Sequence, residues 1–336
     1  MGMYYRPILS SDVARPDDAL RIGGGAQWFT DLEVLQRGAA PQVIGGADLP
    51  EAARAALLTA RHSMWGTRPQ IMGIVNTTPD SFSDGGLHAQ AADAIAAGLA
   101  MAAAGADILD IGGESTRPGA QHVAVAEEIR RTAPVIAGLR AAGHGGVISV
   151  DTRKAEVARA ALDAGADMIN DVSGFTHDPA LAGVAAQAGV PVCVMHGPVD
   201  PAVMQLDPRY GDVLLEVYDF LAARIAALEA AGIARGRIIA DPGIGFAKTQ
   251  AHNLAVLSRL SLFHSLGVPL LLGASRKRFI GNIGQAPDPA DRMPGSIAVA
   301  LAGIAQGVQI VRVHDVSQTA QAIALWQASV SGRTDS

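Results

Sequence analysis

Eight short, near-continuously apolar runs punctuate the chain from about residue 70 onward, each followed by a helical pattern. They lie at 70–75, 107–111, 147–151, 167–171, 190–195, 237–241, 268–273 and 309–313. Strands covered on both faces read this way. Between them, Leu214, Val217, Leu221, Ile225 and Leu228 recur at helical steps, as do Val125, Ile129, Thr132, Ile136 and Leu139; Ile95 and Leu99 mark a weaker, alanine-rich helix. Eight β-then-α units in series fit a closed (β/α)8 barrel of the TIM type, an α/β fold. The doubly wound open sheet usually carries a glycine-rich phosphate loop after its first strand, and neither G-x-G-x-x-G nor a Walker A pattern occurs.

Composition agrees. Hydrophobic residues make up 49% and charged residues 17%, enough for a large core, while aromatics are only 4%, so small aliphatics must fill it. The net charge of −6 and the lack of a basic run argue against nucleic acid as a partner. A single cysteine, Cys193, excludes an internal disulfide and lies mid-strand, where core packing is its expected role. No membrane association is expected, since no apolar run is long enough to span a bilayer. The start lacks a signal-peptide pattern, so a cytoplasmic setting is the expectation. Residues 1–68 read as an N-terminal extension, with strands at 4–9 and 28–35 and a helix at 50–63; residues 69–336 form the barrel.

Polar residues gather after the strands. Asn76, Gly112 to Pro118, Asp151, Asn170, Asp241, Ser275 to Lys277, and Arg312 with His314 all stand at strand ends, which meet on the C-terminal rim of a barrel. Asp or Ser after a strand also caps helices, so any one of them has a structural alternative; a set from seven strands implies a polar ligand. Asp151, Asn170 and Asp241 match the edge of a flat heterocycle, and Lys277 a ring carbonyl or nitrogen. Arg312 and His314, two apart, match an anion. Asn76 and Thr116 are candidates for a phosphate or hydrated Mg²⁺. The scattered histidines 62, 88, 122, 144, 177, 252 and 264 show no metal-ligand spacing, and His196 is as readily structural as functional. Glu114 is expected to hold the 115–118 loop, and Arg153 and Lys154 to open a helix.

The segments from Met72 to Gly86 (MGIVNTTPDSFSDGG) and from Asp110 to Gly119 (DIGGESTRPG) resemble two signatures of the dihydropteroate synthase family, and those beginning at Asp241 (DPGIGF), Gly273 (GASRK) and Arg312 (RVHD) complete the set in order. The resemblance covers about residues 70–330. Thr77 and the stretch after His196 depart from the family pattern. The resemblance implies a transferase that condenses a dihydropterin pyrophosphate with p-aminobenzoate in folate biosynthesis, with Mg²⁺ as cofactor and a homodimeric assembly. It places Asp151, Asn170, Asp241 and Lys277 on the pterin; Asn76 on the metal; Thr116, Arg312 and His314 on the pyrophosphate; and Arg117, Pro118, Phe246 and Ser275 at the p-aminobenzoate pocket. Of these, Asp151, Asp241, Lys277, Arg312 and His314 are the candidate catalytic residues. A corrinoid methyltransferase on the same fold needs no pyrophosphate site, and its D-x-H-x-x-G signature is missing. A non-catalytic pterin-binding subunit would lack one of the acidic or basic residues, and all are present.

Overall fold

The computed structural model describes residues 2–61, 68–77, 86–115, 122–197 and 208–333. The extension supplies β1 (Tyr4–Pro7), β2 (Leu20–Arg21), β3 (Trp28–Phe29), β4 (Asp31–Leu35), β5 (Gln42–Gly45) and α1 (Glu51–Leu58). The barrel runs β6 (Gln70–Asn76), α2 (Gly86–Ala103), β7 (Ile108–Gly112), α3 (Val125–Ala141), β8 (Val147–Asp151), α4 (Ala155–Asp163), β9 (Met168–Asp171), α5 (Leu181–Ala188) and β10 (Val192–Met195). It continues with α6 (Val213–Ala230), β11 (Ile238–Asp241), α7 (Gln250–Leu257), β12 (Leu271–Leu272), α8 (Arg278–Ile283), α9 (Met293–Ala305), β13 (Ile310–Val313) and α10 (Val316–Ser331).

Strands β6 to β13 form one eight-stranded sheet in the order β11-β10-β9-β8-β7-β6-β13-β12, all neighbours pairing in parallel, and the two edge strands β11 and β12 meet at a parallel bridge between Ala240 and Leu270. The sheet is thus a nearly closed barrel. Alternation of side chains along each strand sends Met72, Ile108, Met168, Cys193, Ile239, Leu271 and Ile310 into one buried apolar cluster, with Val147 packed against it. Cys193 is core, as expected. Two residues further along the same inward columns stand Asp110, Ser149, Asn170, Asp241 and Arg312, and two further again lie Asn76, Asp151, Ser275 and His314. The barrel interior therefore changes from apolar floor to polar mouth within two residues on five of the eight strands. The outward faces pack on the helices. All five predicted face residues of α6 are buried.

Four elements differ from the sequence reading. The strand expected at 268–273 shrinks to Leu271–Leu272, because Pro269 has no N–H and the Leu270 N–H bonds the Gln309 side chain at 2.8 Å. The strand expected at 28–35 breaks at Thr30, whose carbonyl accepts from Gly46 N at 2.6 Å; β3 then pairs with β2, and β4 with β1 and β5. Helix α1 ends at Leu58, as Thr59 leaves helical geometry with its hydroxyl bonded back to Ala55 O. On α3 the fully buried position is Glu128 while Ile129 is half-buried; a paired carboxylate has taken a place that periodicity assigns to an apolar side chain.

The extension has its own small core of Ile22, Phe29, Leu32, Leu49 and Leu57. Tyr4 and Leu35 merge with the barrel core. Glu33 receives both Arg6 (2.9 Å) and Arg259 (3.0 Å), and Ser261 Oγ donates to Pro7 O at 2.8 Å. The barrel-side partners, Arg259 and Ser261, stand at the start of the 3-10 segment Leu260–Leu266, which leads into β12. The extension therefore packs at the N-terminal ends of the strands, remote from the polar mouth.

Candidate active site

Arg312 is the hub of the mouth. Its Nε donates to Asp110 Oδ2 at 2.6 Å and its Nη2 to Asp151 Oδ2 at 2.8 Å, while Asn170 Nδ2 donates to the same Asp110 oxygen at 3.1 Å. Two carboxylates thus share one guanidinium. Burial pushes the Asp151 carboxyl up, and Asp110 pushes it further, against the pull of Arg312. Burial works against the charge on Arg312 too, but Asp110 and Asp151 outweigh it and hold the guanidinium ionised. Asp110 Oδ1 and Ser149 Oγ are buried with no hydrogen-bond partner. Orphaned buried oxygens of this kind mark a place where a ligand supplies the missing donors.

Asp241 and Lys277 flank this hub. Burial raises Asp241 to about 6, with the Gly243 N–H (2.7 Å) and Lys277 opposing. Burial lowers Lys277 to about 8, helped by Arg312 and opposed by Asp241. Lys277 Nζ sits 4.0 Å from the centre of the Phe246 ring, a cation–π contact. Gly273 lies between Asp241 and Arg312: a Cβ there would stand 3.5 Å from Asp241 Oδ2. Arg276 adopts φ 57, a left-handed conformation that costs about 1 kcal/mol in a non-glycine residue. It is held by Asp315 and by the Ser296 hydroxyl accepting from its N–H, and this bend separates Ser275 from Lys277. Ser275 Oγ lies 3.0 Å from His314 Nδ1 and accepts from His314 N. His314 falls just past β13 and is engaged with Ser275, whereas Arg312 is engaged with the carboxylates.

Asn76 closes β6 opposite Gly112, and beside it Thr77 is buried with its hydroxyl on Gly112 O at 3.0 Å. A hydroxyl fits this unusual position because a strand-end carbonyl is there to receive it. The turn after β11 is fixed by Gly243, at φ 68 and so close to His196 O that a Cβ would stand 2.1 Å from it. Lys248 Nζ ties that turn together, donating to Gly243 O (2.9 Å) and Phe246 O (3.1 Å) and lying 2.8 Å from His196 Nδ1. Burial lowers Lys248 to about 7 and His196 to about 2, so the histidine is neutral and structural.

A second charged cluster lies behind the mouth. Lys154 Nζ donates to Glu128 (2.5 Å) and Val123 O (2.6 Å), and Arg153 Nη2 to Glu114 (3.1 Å). Glu114 Oε1 in turn accepts from Val123 N at 2.8 Å. Arg153 and Lys154 do lead into α4, with Lys154 at its N-cap, while their side chains turn inward to glutamates. Glu114 does hold a loop, joining the chain before residue 116 to Val123 after it.

The structure brings together Asp151, Asn170, Asp241, Lys277 and Arg312 at one mouth, with Phe246, Ser275 and His314 around it. Thr116, Arg117 and Pro118 lie outside the described residues. Sequence reasoning missed Asp110, Ser149 and Lys248 as site components. Asp110 carried a signal: a carboxylate two residues after Ile108 in an apolar strand must share its inward column.

A parallel barrel with acids, an amide and cations on its C-terminal mouth defines a barrel enzyme for a polar heterocycle. The pterin binding enzyme family matches residues 72–314, and the chain belongs to that family. A dihydropteroate synthase of Synechocystis is 49% identical over 267 residues, 78% of this chain and 92% of the relative. The Escherichia coli dihydropteroate synthase is 45% identical over 270 residues, 80% of this chain and 94% of the relative. Among solved structures, Xanthomonas albilineans dihydropteroate synthase with 4-aminobenzoic acid superposes with a TM-score of 0.73 at 49% identity, covering 78% of this chain and 93% of that one. The complex of a dihydropteroate synthase from the same organism with 7,8-dihydropteroate gives 0.71 at 46% identity, covering 78% and 94%. Within the family the chain groups with these transferases of folate biosynthesis.

Proposed function

We propose that the protein condenses 7,8-dihydropterin-6-ylmethyl pyrophosphate with p-aminobenzoate, releasing pyrophosphate and 7,8-dihydropteroate. The observation that carries this reading is the mouth itself: Asp110, Asp151 and Asp241 with Asn170, Arg312 and Lys277 around two orphaned oxygens. A pterin edge offers a guanidine-like row of N–H donors beside a ring carbonyl. Asp151, Asn170 and Asp241 receive the donors, and Lys277 donates to the ring.

The reaction displaces diphosphate from a methylene by a weakly nucleophilic aryl amine. The electron-rich ring stabilises a developing methylene cation, and Asp151 and Asp241 favour that charge from below. In the free protein Nε and Nη2 of Arg312 are taken by carboxylates. When pterin N–H groups occupy Asp151, one arm is released toward the leaving diphosphate, so substrate binding itself arms the site. His314 and Thr116 join it there. Phe246 and Ser275, with Arg117 and Pro118, receive the p-aminobenzoate.

Among the described residues there is no group of three or more acidic, histidine or cysteine side chains that could hold a metal. Asn76 would offer one protein oxygen to a Mg²⁺ brought in with the diphosphate, since this ion keeps most of its water and binds with substrate phosphates. When bound it would neutralise charge on the leaving group. The family resemblance supports a homodimer in the cytoplasm; among the described residues no helix is long and apolar enough to cross a membrane. Incubation of the purified protein with the pterin pyrophosphate, p-aminobenzoate and Mg²⁺ should give dihydropteroate; no product in that mixture refutes the reading. Sedimentation at micromolar concentration tests the dimer.

A further inference from the structure

A cavity of about 760 Å³ lies between the N-terminal extension and the barrel, in the size range of small-molecule sites. One wall is extension, including Arg15, Arg21, Trp28 and Arg61; the other is barrel, including Gly307 to Gln309 before β13 and Trp326 on α10. The barrel wall belongs to the N-terminal ends of the strands, so the cavity is at the opposite pole from the mouth. The extension wall precedes residue 72, where the family match begins. One wall of the cavity is thus built by a part of this chain that lies outside that match.

Its lining is strongly biased. Among the described residues, those of the lining that carry charge are Arg15, Arg21, Arg61, Arg68 and one aspartate, Asp12. Arg68 is neutralised by Asp107. Arg61 is not neutralised: its Nη1 donates to Ala56 O (3.1 Å), its Nη2 to His264 O (3.0 Å), its Nε is buried without a partner, and no carboxylate pairs with it among the described residues. Burial and the nearby Arg235 lower it to about 10. A largely buried guanidinium facing carbonyls alone is an expensive arrangement that a bound anion would relieve. It is held there by Gly23, at φ 52, where a Cβ would stand 2.9 Å from Arg61 Nε. Trp28 and Trp326 add indole surface on opposite walls. Cationic side chains beside aromatic surface recognise flat rings that carry negative charge.

We propose that this cavity is a second ligand site, separate from the mouth, that takes an aromatic anion: a planar ring system bearing a carboxylate or phosphate. The test uses the full chain with Asp241→Asn, which weakens the mouth, and follows tryptophan emission and titration heat with pteroate, adenosine monophosphate and inorganic phosphate as probes. Saturable binding of pteroate or of the nucleotide, weakened at least tenfold when Arg15→Glu and Arg21→Glu are added, supports the site and tells carboxylate from phosphate. Both arginines are exposed, so these changes leave the fold intact, as unchanged dihydropteroate formation in an otherwise wild-type chain checks. Trp326→Leu should remove much of the emission change while the heat remains. No saturable binding, binding of inorganic phosphate alone, or binding indifferent to the two arginine changes overturns the proposal. None of these outcomes bears on catalysis at the mouth, so the two readings fail separately.

Discussion

Asp241→Asn separates what the mouth costs the fold from what it contributes to binding. The carboxyl is buried, and its folded pKa is about 6 against an ordinary 3.8. Between those values the folded protein holds the proton more tightly than the unfolded chain, so this group's contribution to stability falls as pH rises from about 4 to about 6 and is level above. The fall is ~3 kcal/mol for a difference of this size. Asparagine keeps an acceptor for the Gly243 N–H but cannot ionise, so it removes the slope. Lys277 loses a counter-charge and takes back part of the gain, leaving the variant more stable by about 1–2 kcal/mol near neutral pH. Binding moves the other way. An uncharged amide in place of a carboxylate under two ring N–H groups costs ~2–4 kcal/mol, roughly 30- to 1000-fold in pterin affinity. Urea midpoints from about pH 4 to about pH 8, alongside calorimetric titration of the pterin pyrophosphate without p-aminobenzoate, measure both. A stability difference between variant and parent that stays flat across that window, or an unchanged pterin affinity, refutes the reasoning.

Three further outcomes are expected. Lys154→Met leaves Glu128 buried and unpaired and should destabilise the protein by about 3–5 kcal/mol, while the double change with Glu128→Leu should be milder; thermal melts of the two compare them directly. Gly243→Ala forces a Cβ against His196 O and an unfavourable φ, so it should lower the melting temperature and pterin affinity together, both read on one purified sample. Chelation of Mg²⁺ should abolish dihydropteroate formation without shifting the melting temperature of the free protein, because the ion is proposed to enter with its substrate; a melting shift on chelation would point instead to a resident metal.

The barrel was legible because strands buried on both faces leave apolar runs, and seven of the eight kept near their sequence bounds. The exception, β12, lost residues to a proline and to a glutamine that captures a backbone N–H, an event no periodicity registers. The rim residues were legible as polar interruptions at strand ends. Asp110 and Ser149, level with Asn170, Asp241 and Arg312 in the barrel, were overlooked since two further strand residues follow each of them. Glu128 escaped for a related reason: its partner Lys154 is 26 residues away, and only the fold reveals the pairing that lets a carboxylate be buried. Residues 1–61 gave strands but not their pairing, which depends on where Thr30 turns its carbonyl.

The bridge between Ala240 and Leu270 has a consequence for motion. Every other seam of the cylinder is laced by two or more residue pairs; this one is stitched once, and it runs between the strands that lead to Asp241 and to Lys277. Any breathing of the cylinder will part these two side chains first. The separation of acid from amine then follows the state of a single stitch, and the Ala240 amide, exchanging with heavy water, reports it from beneath the two side chains.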